Sequence, residues 1–308
     1  MFNSVEILQK EVYTNHMNKM CILIENQNKI EDLELAITEL KAKGVEIFLG
    51  DKSCLLGIQE RESGQSLYGE NKVRDILVLT DDPQMASLLA ADGYPVLAYV
   101  HEGNKEEPLS FVKYVIEGFE DVDGAYFWRV WQRLTGKPWF ITETERCIIR
   151  ETTESDVDAF YEIYKEPSIT QFMEPLFEEK EAELQYVKDY REKVYDFYGF
   201  GMWTVLDKQT GQVIGRAGIS MREGFEDPEL GFMIAKDYQG KGLATEVCQA
   251  ILAFAYQEFQ FSRFQALVCK DNLPSHKVLS KLGFSYVREE RINDETLQLF
   301  ILNYYPSV

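Results

Sequence analysis

The chain has 308 residues, enough for two domains that each bury a core of their own. Its composition of 45% hydrophobic, 27% charged and 13% aromatic residues is that of a folded, aromatic-rich protein and excludes the disordered and collagen-like classes. A formal charge of -20 repels nucleic-acid backbones and anionic membrane surfaces, so neither is expected as a partner; cationic partners are favoured, although solubility alone accounts for the acidity equally well.

No run approaches the roughly 18 consecutive apolar residues that span a bilayer, and the first residues carry neither the basic nor the apolar region of a secretory signal, so a cytoplasmic location is expected. Cys21, Cys54, Cys147, Cys248 and Cys269 are odd in number, scattered, and set mostly in apolar runs, which points to buried thiols. His16, His101 and His276 form no ligand-like spacing with each other or with a cysteine, and no metal is expected.

In chain order, Cys21-Ile-Leu-Ile24 reads as a buried strand, 30–43 as a helix with apolar positions Leu33, Leu35, Ile37 and Leu40, and 45–49 as the next strand. The unit recurs: 75–80 is a strand, 83–91 a short helix closing at Gly93, and 94–100 another strand. Alternating strands and helices predict a small three-layer, Rossmann-like parallel sheet. A helix-like stretch at 126–134 ends at Gly136-Lys-Pro-Trp139, and the domain boundary is placed there, giving domains 1–138 and 139–308. Asp81 and Asp82, after the 75–80 strand, suit either a magnesium ion or the cap of the following helix.

Beyond the boundary, 146–150 reads as a strand and Thr153-Glu-Ser-Asp156 as a helix start. A second, charged helix is placed at about 179–195. Strand signals follow at 202–206, 213–219 and 229–235, the first two joined by the turn Asp207-Lys-Gln-Thr-Gly211. The strand at 229–235 then ends in a Gly-rich turn that opens directly into a helix at about 243–258. Free N-H groups and the positive end of a helix dipole at such a turn can cradle a pyrophosphate without a metal. After a strand at 264–269, a helix follows Asn272, and two strands, 285–288 and 296–303, close the chain.

Gln239-Gly-Lys-Gly-Leu-Ala244 matches the Q/R-x-x-G-x-G/A signature with which the GNAT superfamily binds the pyrophosphate of acetyl-CoA. Asn272-Leu-Pro-Ser-His-Lys-Val-Leu-Ser-Lys-Leu-Gly-Phe284 resembles that family's second fingerprint, in the right order and separation. With Arg150-Glu-Thr-Thr-Glu-Ser-Asp-Val, the C-terminal half looks most like the branch containing ribosomal-protein N-terminal acetyltransferases, and the resemblance implies a mixed-sheet α+β domain. The N-terminal half resembles a haloacid-dehalogenase-type core through Thr80-Asp-Asp-Pro-Gln-Met-Ala-Ser-Leu-Leu-Ala-Ala-Asp-Gly-Tyr-Pro-Val96. Its first strand is followed by Glu25-Asn26-Gln27 and lacks that family's nucleophilic Asp-x-Asp, so a non-catalytic, structural or ligand-sensing domain is the preferred reading.

The GNAT resemblance implies that backbone groups of Met233, Ile234 and Ala235 bind pantetheine and polarise the thioester carbonyl. It also implies that Gln239, Gly240, Lys241, Gly242, Leu243, Ala244 and Thr245 hold the pyrophosphate, with Lys241 as a charge partner, and that Asn272 contacts the coenzyme. Glu229 is the candidate base. Many relatives carry a tyrosine acid seven residues after the motif asparagine, where this chain has Leu279; Ser275 is the substitute candidate, and a helix-capping role for it stands beside the catalytic one. Glu174, Phe172, Tyr198 and Trp203 are the expected acceptor-pocket residues. The expected activity is acetyl transfer from acetyl-CoA to a primary amine, either a peptide N-terminus or a small cationic amine. A non-catalytic CoA or metabolite sensor is the alternative, and a homodimer is left open.

Overall fold

The computed structural model describes residues 17–25, 27–50, 73–120, 122–292 and 295–305, so the N-terminal run with His16, and Cys54, lie outside the described residues. The described residues fall into two units, 17–137 and 138–305. Among the described residues no helix is long and apolar enough to cross a membrane.

The first unit is built on a parallel sheet of β1 (Lys19–Leu23), β2 (Glu46–Leu49), β3 (Ile76–Thr80), β4 (Val96–Tyr99) and β5 (Tyr114–Ile116), in the order β2-β1-β3-β4-β5. Strand alternation explains its layering. Met20, Ile22, Leu77, Leu79 and Leu97 face one core, which α2 (Glu34–Ala42) and α4 (Gly124–Thr135) cover through Leu40, Phe127 and Trp131. Cys21, Leu23, Val78, Val96 and Ala98 face the other, under α3 (Pro83–Ala91) with Met85 and Ala86. The helix predicted at 30–43 is in fact two, α1 (Gln27–Glu31) and α2. They are separated at fully buried Leu33, whose N-H donates to the Ile30 carbonyl at 3.0 Å. Asp82 caps α3 by accepting from the Met85 N-H at 2.9 Å, while the Asp81 carboxylate accepts from the Glu25 N-H at 3.1 Å. Both aspartates are therefore engaged in holding chain.

The second unit carries a mixed sheet in the order β12-β13-β11-β10-β9-β8-β7-β6. Its strands are β6 (Phe140–Glu143), β7 (Cys147–Arg150), β8 (Met202–Asp207), β9 (Val213–Ser220), β10 (Glu229–Ile234), β11 (Arg263–Cys269), β12 (Ser285–Ile292) and β13 (Glu295–Asn303). One face packs on α8 (Leu243–Phe259) and α9 (Leu273–Leu282), where Ile214, Ala217, Leu230, Ile251, Phe264 and Leu279 share a core. On the other face lie α5 (Val157–Tyr164), the short α6 (Pro167–Thr170) and α7 (Lys180–Tyr190). The charged helix predicted at 179–195 turns from α-helix into a π-helical turn at Arg191–Tyr195.

A buried cluster fixes the start of α5. Asp156 closes a capping box with Thr153, and its carboxylate also takes both guanidinium N-H groups of Arg150 at 2.7 Å and the Thr204 hydroxyl at 3.0 Å. Burial raises the Asp156 carboxyl, but the Arg150 hydrogen bonds and charge, with the Thr153 N-H and the Thr204 hydroxyl, outweigh it and hold the group below the ordinary aspartate range.

Candidate active site

β10 and β11 are parallel neighbours, and their ladder registers Glu229 against Gln265. Toward their carboxyl ends the two strands diverge. The crevice between them is a cavity of about 590 Å³ whose walls include Phe232, Met233 and Ile234 on β10, the turn residues Gln239, Gly240 and Gly242, the first residues of α8, and Asn272, Ser275 and Lys277 on the other side.

Peptide direction on β10 follows from its other neighbour. The Ala235 N-H donates to the Ile214 carbonyl of the β9 side at 2.8 Å. In an antiparallel ladder the N-H and C=O of a residue point the same way and alternate along the strand, so the peptide groups of Phe232 and Ile234 point toward the crevice and those of Met233 and Ala235 toward β9. Of the three backbone positions expected from sequence, Ile234 faces the crevice, Met233 contributes to its wall, and Ala235 is committed to β9. Phe232, which the sequence reading missed, takes the remaining crevice-facing position.

The turn is shaped by conformation. Gly240 has φ +74 and Gly242 φ +82, a region that residues with a Cβ rarely adopt. Gly242 is the N-cap of the 17-residue helix α8, so the unpaired N-H groups of the first turn open into the crevice. The Gln239 carboxamide donates to the Ile234 carbonyl at 2.8 Å and ties the turn to the end of β10. From outside, Arg146 at the start of β7 donates to the Lys241 carbonyl at 2.9 Å and pairs with Glu246 in the first turn of α8. Arg146 and Glu246 stand 100 residues apart, and no local sequence signal joins them.

Three lysines line this one crevice of a chain with net charge -20: Lys236, Lys277 and Lys281. The local sign thus runs against the global one and suits an anionic ligand. Lys241 does not share in it: its ammonium lies 5.1 Å over the Tyr238 ring, and it is absent from the cavity wall. Leu243, Ala244 and Thr245 line the cavity beside the glycines.

Asn272 is the N-cap of α9, its side-chain oxygen accepting from the Ser275 N-H at 3.2 Å. Asn272, and not Ser275, therefore caps the helix, and Ser275 belongs to the cavity wall. Leu279 is fully buried in the core.

Glu229 sits where the two strands meet, with only 12% of its side chain exposed, and both of its oxygens are taken by Arg222, one at 3.0 Å from Nη2 and the other by Nε. The Glu229 hydrogen bond raises the Arg222 guanidinium further, and Glu174 adds to the effect, so Glu174, Arg222 and Glu229 share one electrostatic neighbourhood. Phe172 lines the cavity from the loop after α6. One expected acceptor residue is corrected by packing. Trp203 is fully buried, its ring 5.8 Å from Phe254 in an edge contact, and presents no surface to a ligand. Tyr198 stacks among Phe197 and Phe200 and is not part of the cavity wall.

Comparison with known proteins agrees with this geometry: residues 146–285 match the acetyltransferase (GNAT) domain family. Those residues are a GNAT acetyltransferase domain. YkkB of Bacillus subtilis is 34% identical over 96 residues, which cover 30% of this chain and 56% of that protein. The uncharacterised N-acetyltransferase p20 of Bacillus licheniformis is 26% identical over 147 residues, covering 46% of this chain and 80% of that protein. The chain thus spans little more than half the length of the first relative. A solved ribosomal-protein-S5-alanine acetyltransferase from Vibrio fischeri superposes with a TM-score of 0.46 at 22% identity, covering 53% of this chain and 96% of that one. The GNAT family uses acetyl-CoA as its cosubstrate, and the glycine turn, helix N-terminus and three lysines of this acetyltransferase domain fit its phosphates.

Proposed function

We propose that the chain transfers the acetyl group of acetyl-CoA to a primary amine by direct attack on the thioester. The observation that carries this reading is the crevice between diverging strands, floored by β10 peptide groups and closed at one end by the N-terminus of α8. The amine nitrogen bonds to the thioester carbonyl carbon, the C–S bond breaks, the amine loses a proton, and the thiolate gains one. Phe232 and Ile234 N-H groups are placed to stabilise the oxyanion that forms on the carbonyl oxygen. Ser275 is the candidate donor to the thiolate, since Leu279 offers no hydroxyl.

Glu229 is the candidate base, with Glu174 as a second carboxylate drawing the cationic amine. To serve, Glu229 must release one oxygen from Arg222, and an incoming ammonium competes for that carboxylate on equal charge. That same ion pair favours the second reading, a sensor that binds acetyl-CoA and does not turn it over. In thiol-release assays Glu229→Gln is expected to lower kcat/KM about 100-fold or more, the usual contribution of a general base. An unchanged kcat/KM would remove Glu229 from the chemistry, and coenzyme binding with no transfer to any amine would favour the sensor.

In the first unit, Asp82 and Asp81 are both spent on backbone N-H groups, which supports a non-catalytic role for that unit.

A further inference from the structure

Strand alternation places Glu229, Gly231 and Met233 of β10 on one face of the sheet. Met233 belongs to the crevice wall and Glu229 is the candidate base, so Gly231 is the ground between them. An amine that gives its proton to Glu229 and bonds to a carbon held in the crevice has to stand over this residue. The antiparallel ladders align Gly231 with Gly218 of β9, and Gly218 with Met202 of β8. Of these three residues only Met202 has a side chain, and it reaches across Gly218. Its sulfur lies 3.1 Å and its methyl group 3.4 Å from where a Gly231 Cβ would stand. Gly231 and Met202 are both half-buried, so part of each faces outward.

The backbone of Met202 is held fast. Its N-H donates to the Tyr190 hydroxyl at 2.9 Å, and its carbonyl accepts from the Tyr195 hydroxyl. These tyrosines stand five residues apart, just before and at the end of the π-helical turn, whose i to i+5 repeat sets one ring edge-on to the other at 5.1 Å between centroids. Gly201 lets them approach, since a Cβ there would come 2.8 Å from the Tyr190 hydroxyl. β9 presses on the same segment: a Cβ on Gly218 would stand 2.8 Å from the Met202 Cα. With its backbone so confined, the thioether cannot withdraw as a unit from Gly231. An amine standing there meets it with its first carbon. Hydrogens on that carbon fit beside the sulfur, whereas a second carbon substituent competes with the thioether for the same volume.

We infer that Met202 determines specificity for the carbon that bears the amine: with its thioether over Gly231, the site takes amines on an unbranched CH2 and disfavours those on a branched carbon. Polyamine ends, lysine side chains and N-terminal glycines belong to the first class, and the other primary-amine N-termini of peptides to the second. This rests on the acetyltransferase reading proposed above.

The test uses acceptors paired to match in charge: n-butylamine with its isomer sec-butylamine, and hexapeptides identical except for glycine or alanine at the free N-terminus. Acetylation is followed by mass spectrometry, and the Kd of each acceptor on the CoA-loaded full chain is measured by calorimetry alongside. The unbranched member of each pair is expected to lead in kcat/KM by about tenfold or more, the lower end of what one methyl group decides in an apolar pocket. Met202→Ala should cut that ratio to about threefold or less by improving use of the branched member, while Met202→Leu, of similar volume, should keep it. Gly231→Ala, which sets a methyl group against the thioether from β10, should raise the ratio. Equal use of the two members in either pair, a preference for the branched member, or a ratio unmoved by both Met202→Ala and Gly231→Ala would overturn the inference. No transfer to any acceptor would fail the acetyltransferase reading separately. The Kd ratios then decide: an unbranched preference that Met202→Ala abolishes upholds the role of Met202, and equal Kd values or no binding overturn it.

Discussion

Gly242 combines φ +82 with the N-cap position of α8, and only the Arg146 guanidinium comes within 4 Å of where a Cβ would stand, at 3.8 Å. Space is thus available and backbone conformation is not. Gly242→Ala is expected to destabilise the protein by about 1 kcal/mol and to weaken acetyl-CoA binding about tenfold by turning the helix N-H groups away. Calorimetric titration checks it, and an unchanged Kd would remove the turn from the binding site. Those glycines were legible in the sequence because a positive φ before a helix leaves a compositional mark. Other residues left none. The Arg146–Glu246 brace spans 100 positions, the pairing of Arg222 with Glu229 depends on how a loop folds back, and Lys241 sits inside the motif yet turns to Tyr238. Trp203 was misread because an aromatic in a strand carries no sign of which face it occupies or how deep it lies.

Among the elements, the start of α5 depends on a buried charge. Asp156 is 2% exposed in its side chain and bonded bidentately to Arg150. Its folded pKa lies below the unfolded value of about 3.9, so its contribution to stability is complete above that value and is lost as pH falls through the folded one. Asp156→Asn is expected to lower stability near neutrality by about 3 kcal/mol, since it leaves Arg150 buried without its counter-charge, and to flatten the acid limb of the stability curve. Denaturant melts from pH 7 to pH 3 measure both, and an acid limb identical to that of the parent protein would contradict the assignment. The Thr153-x-x-Asp156 signal was readable because capping is local. β12 was predicted to stop at 288 and runs on to Ile292 because its residues are mostly exposed and lack the alternation of a half-buried strand. β5 and β6, of three and four residues, are too short to show a period, and the sequence reading passed over both.

Across the whole chain, alternating strands and helices in the first half and hairpin signals in the second point to one parallel and one mixed sheet. The order β2-β1-β3-β4-β5, and the divergence of β10 from β11, depend on pairings between distant segments and could not be read locally. The glycine turn was legible and the crevice beside it was not. The first unit's sheet order has a reversal between β1 and β3, and Asp81 and Asp82 follow β3 there. The function proposed for the second unit rests on a helix N-terminus and three lysines at one gap in a sheet, against an otherwise acidic chain. The most direct test is calorimetric titration of acetyl-CoA into the intact chain, followed in the same samples by thiol release on adding peptide and small amines. Saturable binding, with thiol release that requires an amine, is the expected result; no binding of acetyl-CoA would contradict the assignment of this crevice.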